Sequence, residues 1–205
     1  MTAGFVRSAR ASDAAGLARV QVASWRSTLA ALVPDEVIAE LTSDAALAGW
    51  SERWLEAIVN PPTSRHRVHV AVPSPGSAEV AGFAAAGPAT DEDLWPGTDA
   101  ELYELHVGPA HASADGGDAG RLLNAVADTF AEDGFSTAYA WTLADDGARI
   151  EFLSGAGWGL DGARSNLDMG VKVPVVRLHT RLSPSASSSA PAPPASLESA
   201  RDEHA

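Results

Sequence analysis

The chain has 205 residues and no cysteine, and its 14 basic against 27 acidic side chains give a formal net charge of −13. The length fits one domain with a full hydrophobic core, the lack of cysteine excludes disulfides and thiolate metal sites, and the negative charge argues against binding the nucleic-acid backbone. No apolar run is long enough to span a membrane and the first residues lack a signal-peptide core, so we expect a soluble cytoplasmic protein with no membrane partner.

The first half of the chain predicts one strand, three helices and a strand pair. A strand at 5–9 precedes a helix that Ser12 or Asp13 can cap. Two further helices are predicted at 34–41 and 46–60, the second ending at a Pro-Pro pair. Strands at 67–72 and 80–86 flank a turn rich in Pro, Gly and Ser.

The second half alternates strands and helices. A strand at 100–107 and a glycine-bearing turn at 116–120 lead into an amphipathic helix, then a strand at 137–143 and another helix. The apolar positions of the amphipathic helix are Ala119, Leu122, Leu123, Val126 and Phe130. Strands at 167–173 and 175–182 complete the sheet, with Pro174 expected at a bulge or edge. The order predicts a mixed α/β sheet with helices on both faces.

The last 23 residues have a different composition from the rest. Residues 183–205 are rich in Ser, Pro and Ala and then become polar, so they bury too little apolar surface to offset the entropy of ordering. We therefore predict one domain at 1–182 and a disordered tail at 183–205.

Four segments of the second half resemble the Gcn5-related N-acetyltransferase family in their order and spacing. They lie at 101–109, 120–123, 140–143 and 146–158. The resemblance implies a mostly antiparallel mixed sheet with a splayed parallel pair of strands in the middle, and acetyl-CoA as co-substrate. It also implies the cofactor contacts: the backbone of Leu105, His106 and Val107 for the pantetheine arm, and Gly116, Gly117, Ala119, Gly120 and Arg121 for the diphosphate.

The phosphate-binding turn departs from the family pattern at two positions. Asp115 stands where the family has Arg or Gln, and Asp118 stands where it has its first glycine. A carboxylate about 5 Å from a phosphate costs about 3 kcal/mol at an effective dielectric near 20, enough to cancel a helix N-terminus worth about 0.3–1 kcal/mol. In one interpretation Arg121 compensates and the turn binds the cofactor. In the other, Asp118 caps the helix and occupies the N–H donors of Gly120 or Arg121.

Acyl transfer to an amine needs a base, and the resemblance implies Glu101 for this role, acting directly or through water. Side chains alternate along a strand. We therefore expect Glu101 to share a face with Tyr103 and Leu105. Glu104 is expected on the opposite face with His106.

The position of the family's proton donor is also altered. The family's helix pattern Asn-x-x-Ala-x-x-Phe-Tyr aligns with 146–153, so Leu153 replaces the tyrosine that protonates the leaving thiolate. The resemblance predicts an N-acetyltransferase acting on an amine of a small molecule or peptide. Leu153 and Asp118 keep a second interpretation open, which is a catalytically lapsed domain that serves as a binding or regulatory module. A donor other than acetyl is a third.

Three further features bear on partners. The acidic loop at 91–95 either attracts a cationic acceptor or is simply solvated. The six histidines lack metal-ligand spacing, so no metal is predicted. The sequence leaves open whether the chain forms a homodimer.

Overall fold

The computed structural model describes residues 4–30, 32–112 and 117–182, and the predicted tail at 183–205 lies outside them. Within these ranges the chain forms a seven-stranded sheet in the order β1-β2-β3-β4-β5-β7-β6. The strands are β1 (Phe5–Ser8), β2 (Arg67–Val72), β3 (Gly82–Pro88), β4 (Asp99–Val107), β5 (Thr137–Leu143), β6 (Gly159–Asp168) and β7 (Lys172–Arg181). The helices are α1 (Ala14–Thr28), α2 (Asp35–Leu41), α3 (Asp44–Val59), α4 (Gly117–Glu132) and α5 (Gly147–Gly155).

The middle of the sheet contains the splayed pair that the resemblance implies. β4 and β5 are parallel and pair from Asp99 opposite Thr137 to Leu102 opposite Ala140. The other neighbouring strands of the sheet are antiparallel. Because the β4–β5 register ends partway along both strands, a gap opens between their C-terminal ends.

Two hydrophobic clusters hold helices against the two faces of the sheet. On one face α4 buries the apolar residues that its spacing predicted: Leu122, Leu123, Val126 and Phe130. On the other face Leu17 of α1 and Trp54 of α3 pack against Phe83. The Trp54 indole N–H donates to Gln21 Oε1 at 2.8 Å, which satisfies a buried polar pair between α1 and α3. The prediction of helices on both faces is confirmed.

The last two strands differ from the prediction. The strand predicted at 167–173 is wrong, because β6 ends at Asp168 and β7 begins at Lys172. The turn between them contains Gly170, whose φ of +77° is readily adopted by glycine. The Asp168 carboxylate accepts a hydrogen bond from the Gly170 N–H at 3.2 Å, which is typical of such turns. Pro174 lies within β7 and immediately precedes Val175, where the pairing of β7 with β5 ends.

The start of α1 also differs in detail. A 3₁₀ turn at Ala11–Asp13 precedes the helix. The Asp13 carboxylate accepts from the Arg10 N–H at 2.7 Å and from the Arg7 guanidinium at 2.7 and 3.0 Å. Asp13 therefore ties β1 to the entry of α1 rather than capping α1 with its side chain.

Candidate active site

A β-bulge at Tyr103 decides which side chains of β4 face the site. Leu102 lies opposite Ala86 and Glu104 lies opposite Ala85, so Tyr103 has no partner on β3. A bulge of this kind shifts the alternation of side chains by one residue. The prediction that Glu104 points away from Glu101 is therefore wrong. Strict alternation failed because one inserted residue reverses every face that follows it.

The bulge brings four polar or aromatic side chains of β4 to one cleft. The cleft has a volume of about 510 Å³ and lies where β4 and β5 splay apart. From β4 it is lined by Glu101, Tyr103, Glu104 and His106. Trp25 of α1 and Met169 of the β6–β7 turn close its sides.

Glu101 lies at the floor of the splay, next to the last residue of β4 that pairs with β5. It is 7 % exposed. Its Oε2 accepts hydrogen bonds from the Thr90 N–H at 3.0 Å and the Thr90 hydroxyl at 2.7 Å. These are the hydrogen bonds that the described residues donate to this carboxylate, and both end on Oε2. Thr90 therefore holds the carboxylate in one orientation, with Oε1 left for a further partner.

His106 was predicted to contribute its backbone, and the structure also gives its side chain a place in the cleft. The ring is buried between Phe83 and Trp25, with centroid distances of 5.2 and 6.4 Å. Its Nε2 lies 2.6 Å from Glu104 Oε2, and its Nδ1 lies 3.0 Å from Ser24 Oγ. These contacts fix the β4 end of the cleft to α1.

Arg177 of β7 holds the acidic loop before β4. Its guanidinium bonds to Asp91 at 2.7 Å, to Asp93 at 2.6 and 2.8 Å, and to Asp161 of β6 at 2.7 Å. These bonds, led by the one from Asp93, raise the pKa of Arg177 although burial acts in the opposite direction. The loop at 91–95 was expected either to attract a cationic acceptor or to be solvated. Instead, two of its carboxylates, Asp91 and Asp93, neutralise Arg177 of the protein itself. The pairing positions Thr90, which precedes Asp91.

Arg149 of α5 reaches into the gap between the splayed strands. Its Nη1 donates to the Leu105 carbonyl at 2.7 Å, and the Asp146 carboxylate accepts from the Arg149 backbone N–H at 3.0 Å. Burial lowers the pKa of Arg149, and the nearby Glu104 and Asp146 raise it. The carbonyl of Leu105 thus already has a donor from the protein. Arg149 was not predicted to be a site residue. The available signal was its position, since an arginine stands where the family pattern has alanine.

Leu153 does not face the cleft. It is fully buried in the cluster beneath α4. The chain has two tyrosines, and neither is on α5. The Tyr103 hydroxyl donates to the Pro88 carbonyl at 2.5 Å, and burial, with a smaller effect of Glu101, raises its pKa. Tyr139 lies on β5 against His179.

The start of α4 combines small residues with an ion pair. Gly117 is the first helical residue and Ala119 and Gly120 follow in the first turn. Asp118 is inside the helix rather than at its cap, and its carboxylate bonds to the Arg121 guanidinium at 2.5 Å. Arg121 therefore neutralises Asp118. A larger side chain at Gly120 would meet open space. Val107 ends β4 opposite Gly82, and the predicted contact at Gly116 lies outside the described residues.

Two negative findings concern the described part of the chain alone. No group of three or more His, Cys, Asp or Glu side chains in these ranges could hold a metal ion. None of the helices found there has the length and apolarity that crossing a bilayer requires.

A central parallel pair that splays over a cleft, with a helix of small residues beginning beside it, defines the class of acyltransferase-like α/β domains. No family model matches the sequence. The chain is 30 % identical over 138 residues to the uncharacterized N-acetyltransferase YuaI of Bacillus subtilis, covering 67 % of this chain and 70 % of that protein. The chain belongs to the Gcn5-related N-acetyltransferase family, whose enzymes transfer an acyl group from acyl-CoA to an amine.

Solved structures support the same fold. The ribosomal-protein-alanine N-acetyltransferase of Brucella melitensis superposes with a TM-score of 0.64 at 20 % identity, covering 87 % of this chain and 99 % of that one. The PaiA N-acetyltransferase of Thermoplasma acidophilum, crystallised with coenzyme A, gives a TM-score of 0.61 at 16 % identity, covering 88 % and 99 %. At these identities the likeness concerns the fold.

Proposed function

We propose that the protein transfers the acetyl group of acetyl-CoA to the amine of a small molecule or peptide, with Glu101 as the base. The observation that carries the proposal is the buried Glu101 carboxylate, fixed by two hydrogen bonds from Thr90 in a cleft where the sheet splays. A base fixed in one orientation beside the reacting centre loses little entropy when it accepts the acceptor's proton.

The features that would hold acetyl-CoA fit that group. The gap between β4 and β5 offers strand edges that do not pair with each other beyond Leu102. The first turn of α4 offers a helix N-terminus of small residues, which favours anions. We therefore propose that Leu105, His106 and Val107 contribute backbone contacts, and that Gly117, Ala119, Gly120 and Arg121 receive the diphosphate. Bound there, acetyl-CoA supplies the activated acyl group.

The lining of the cleft favours an amine that carries positive charge before it is deprotonated. Its carboxylates are Glu101, Glu104 and Asp146, together with Asp91, which is already paired with Arg177, and its one cation among the described lining residues is Arg149. Apolar and aromatic side chains form the rest of its wall, including Trp25, Trp141 and Met169. Such a cleft would bind a cationic amine attached to an apolar or aromatic body, since the carboxylates attract the charge and the wall buries the body.

The test of this proposal compares Glu101→Gln with Glu92→Gln, a matched change at an exposed position of the β3–β4 loop. Thermal shift with acetyl-CoA at 100 times the dissociation constant should stabilise the wild type and both variants by about 2.7 kcal/mol. Acetyl transfer to aryl-alkyl primary amines at neutral pH should fall by about 100-fold or more in Glu101→Gln, the low end of general-base effects. Glu92→Gln should transfer at the wild-type rate.

The outcomes separate the two functional interpretations. Unaltered turnover in Glu101→Gln would remove Glu101 from the mechanism. Wild-type protein that shows no thermal shift at millimolar acetyl-CoA would instead favour the catalytically lapsed domain.

A further inference from the structure

We propose that Arg149 is a catalytic residue that stabilises the leaving thiolate by its positive charge, in the role of the tyrosine that Leu153 replaces. The inference rests on the proposed function and extends it to the second half of the reaction. The guanidinium of Arg149 lies in the gap between β4 and β5 and contacts the carbonyl of Leu105.

The charge of Arg149 is available to a new anion. The ion pairs of the described residues engage Arg7, Arg67, Arg121 and Arg177 but not Arg149. Within residues 4–30, 32–112 and 117–182, the Arg149 side chain forms one hydrogen bond, which uses one of the five donors of a guanidinium. Glu104 and Asp146 are close enough to influence its pKa, yet neither forms an ion pair with it. The guanidinium is partly buried and has no carboxylate partner among the described residues, so a bound anion would offset part of its desolvation cost.

The local structure holds Arg149 in place. Asp146 caps α5 by accepting from the Arg149 N–H, which fixes the backbone from which the side chain extends. The Leu105 carbonyl then orients the guanidinium at the far end. Arg149 and Leu153 are four residues apart and so share a face of α5, with Leu153 in the core below. Arg149 therefore projects from the helix that bears the proton donor in the family.

The chemistry balances without a proton donor. The acceptor nitrogen forms a bond to the thioester carbonyl carbon, and the carbon–sulfur bond breaks with its electron pair remaining on sulfur. A cationic acceptor first loses one proton to solvent, and Glu101 takes the second proton, which the nitrogen loses as the new bond forms. Arg149 keeps its proton and pairs with the thiolate, which is protonated by water after release. An arginine suits this role because it stays charged even where burial lowers its pKa.

The experiment measures the ionisation of bound CoA, a readout that does not depend on turnover. CoA bound to wild type, Arg149→Met or Arg149→Lys is titrated between pH 6 and 10, which spans an ordinary thiol pKa near 8.5. The thiolate is followed by its ultraviolet absorbance. An opposite charge in contact typically lowers a pKa by about 1–3, so the thiolate fraction near neutral pH should be about tenfold or more higher on wild type than on Arg149→Met. Arg149→Lys keeps the charge and should retain part of the effect. The exposed Arg53→Met on α3 is the matched control and should equal wild type.

Turnover gives the second readout. Arg149→Met should lower kcat by about 100-fold, as the loss of one preorganised electrostatic group does, with a much smaller change in the KM for acetyl-CoA. CoA that binds every variant with the same thiol pKa would overturn the assignment of Arg149 and leave the proposed function intact. Tighter CoA binding and undiminished kcat in Arg149→Met would also overturn it, because Arg149 would then obstruct the gap. Absence of CoA binding by the wild type would overturn the proposed function and this inference together.

Discussion

Replacing Arg177 by methionine should destabilise the protein strongly, because one buried guanidinium neutralises carboxylates from two distant segments. The Arg177 side chain is 7 % exposed, against 13 % for Asp161 and 27 % for Asp91. Removing one partner of a buried hydrogen bond costs about 1–3 kcal/mol. Asp161 retains a bond from the Ala163 N–H and Asp91 retains one from the Trp141 indole, so we expect about 2–4 kcal/mol for the two carboxylates together. For a domain of this size that corresponds to a fall in Tm of roughly 5–15 °C.

Differential scanning calorimetry of Arg177→Met and Asp93→Asn tests this reasoning. Asp93 bonds to the same guanidinium, but 65 % of its side chain is exposed, so water replaces the lost partner and Tm should change little. Adding Asp161→Asn to Arg177→Met should recover part of the loss, since it removes an uncompensated charge. A fall in Tm as large in Asp93→Asn as in Arg177→Met, or a double variant less stable than Arg177→Met, would refute the argument from burial.

Two other predictions concern separate ion pairs, Asp118 with Arg121 and Asp13 with Arg7. Asp118→Gly should tighten acetyl-CoA binding several-fold in isothermal titration, because it removes a negative charge beside the proposed diphosphate site and releases Arg121 from its ion pair. Weaker binding would show that the ion pair shapes the turn. The hydrogen bond from Arg7 lowers the pKa of Asp13 more than burial raises it, so the folded state holds fewer protons than the unfolded chain as pH falls below about 4, the ordinary value for an Asp. Stability contributed by Asp13 is thus present above that pH and is lost as pH falls through the folded pKa. Asp13→Asn should flatten this part of the acid-unfolding curve, whereas the exposed Asp128→Asn should follow wild type; parallel curves for Asp13→Asn and wild type would contradict the prediction.

The periodicity of the sequence was sufficient to predict most of the fold. The buried positions of α4 follow from a repeat of 3.6 residues, and the order of strands and helices predicted a mixed α/β sheet. The central parallel pair was implied by the family resemblance. The turn at Gly170 was missed, because a short apolar run was extended through a glycine that reverses the chain. Turn chemistry is local, so the signal was present in the sequence and was given too little weight.

The orientation of β4 side chains could not be predicted in the same way. Strict alternation predicted one glutamate in the cleft, and the bulge at Tyr103 places both Glu101 and Glu104 there. No residue type marks a bulge of this kind reliably, since it depends on how β3 and β4 match along their whole length. The resemblance to a family named Glu101, while the partner that orients it, Thr90, was found only in the structure.

The sequence by itself determined most of the elements, their order, and through resemblance the class of reaction, because these depend on patterns among residues close together in the chain. Only the tertiary structure decided which charges meet. Arg149 reaches a carbonyl 44 residues away, and Arg177 binds a carboxylate 86 residues away. Such contacts depend on how packed helices and strands bring distant side chains within hydrogen-bond distance, and a local periodicity carries no information about that distance.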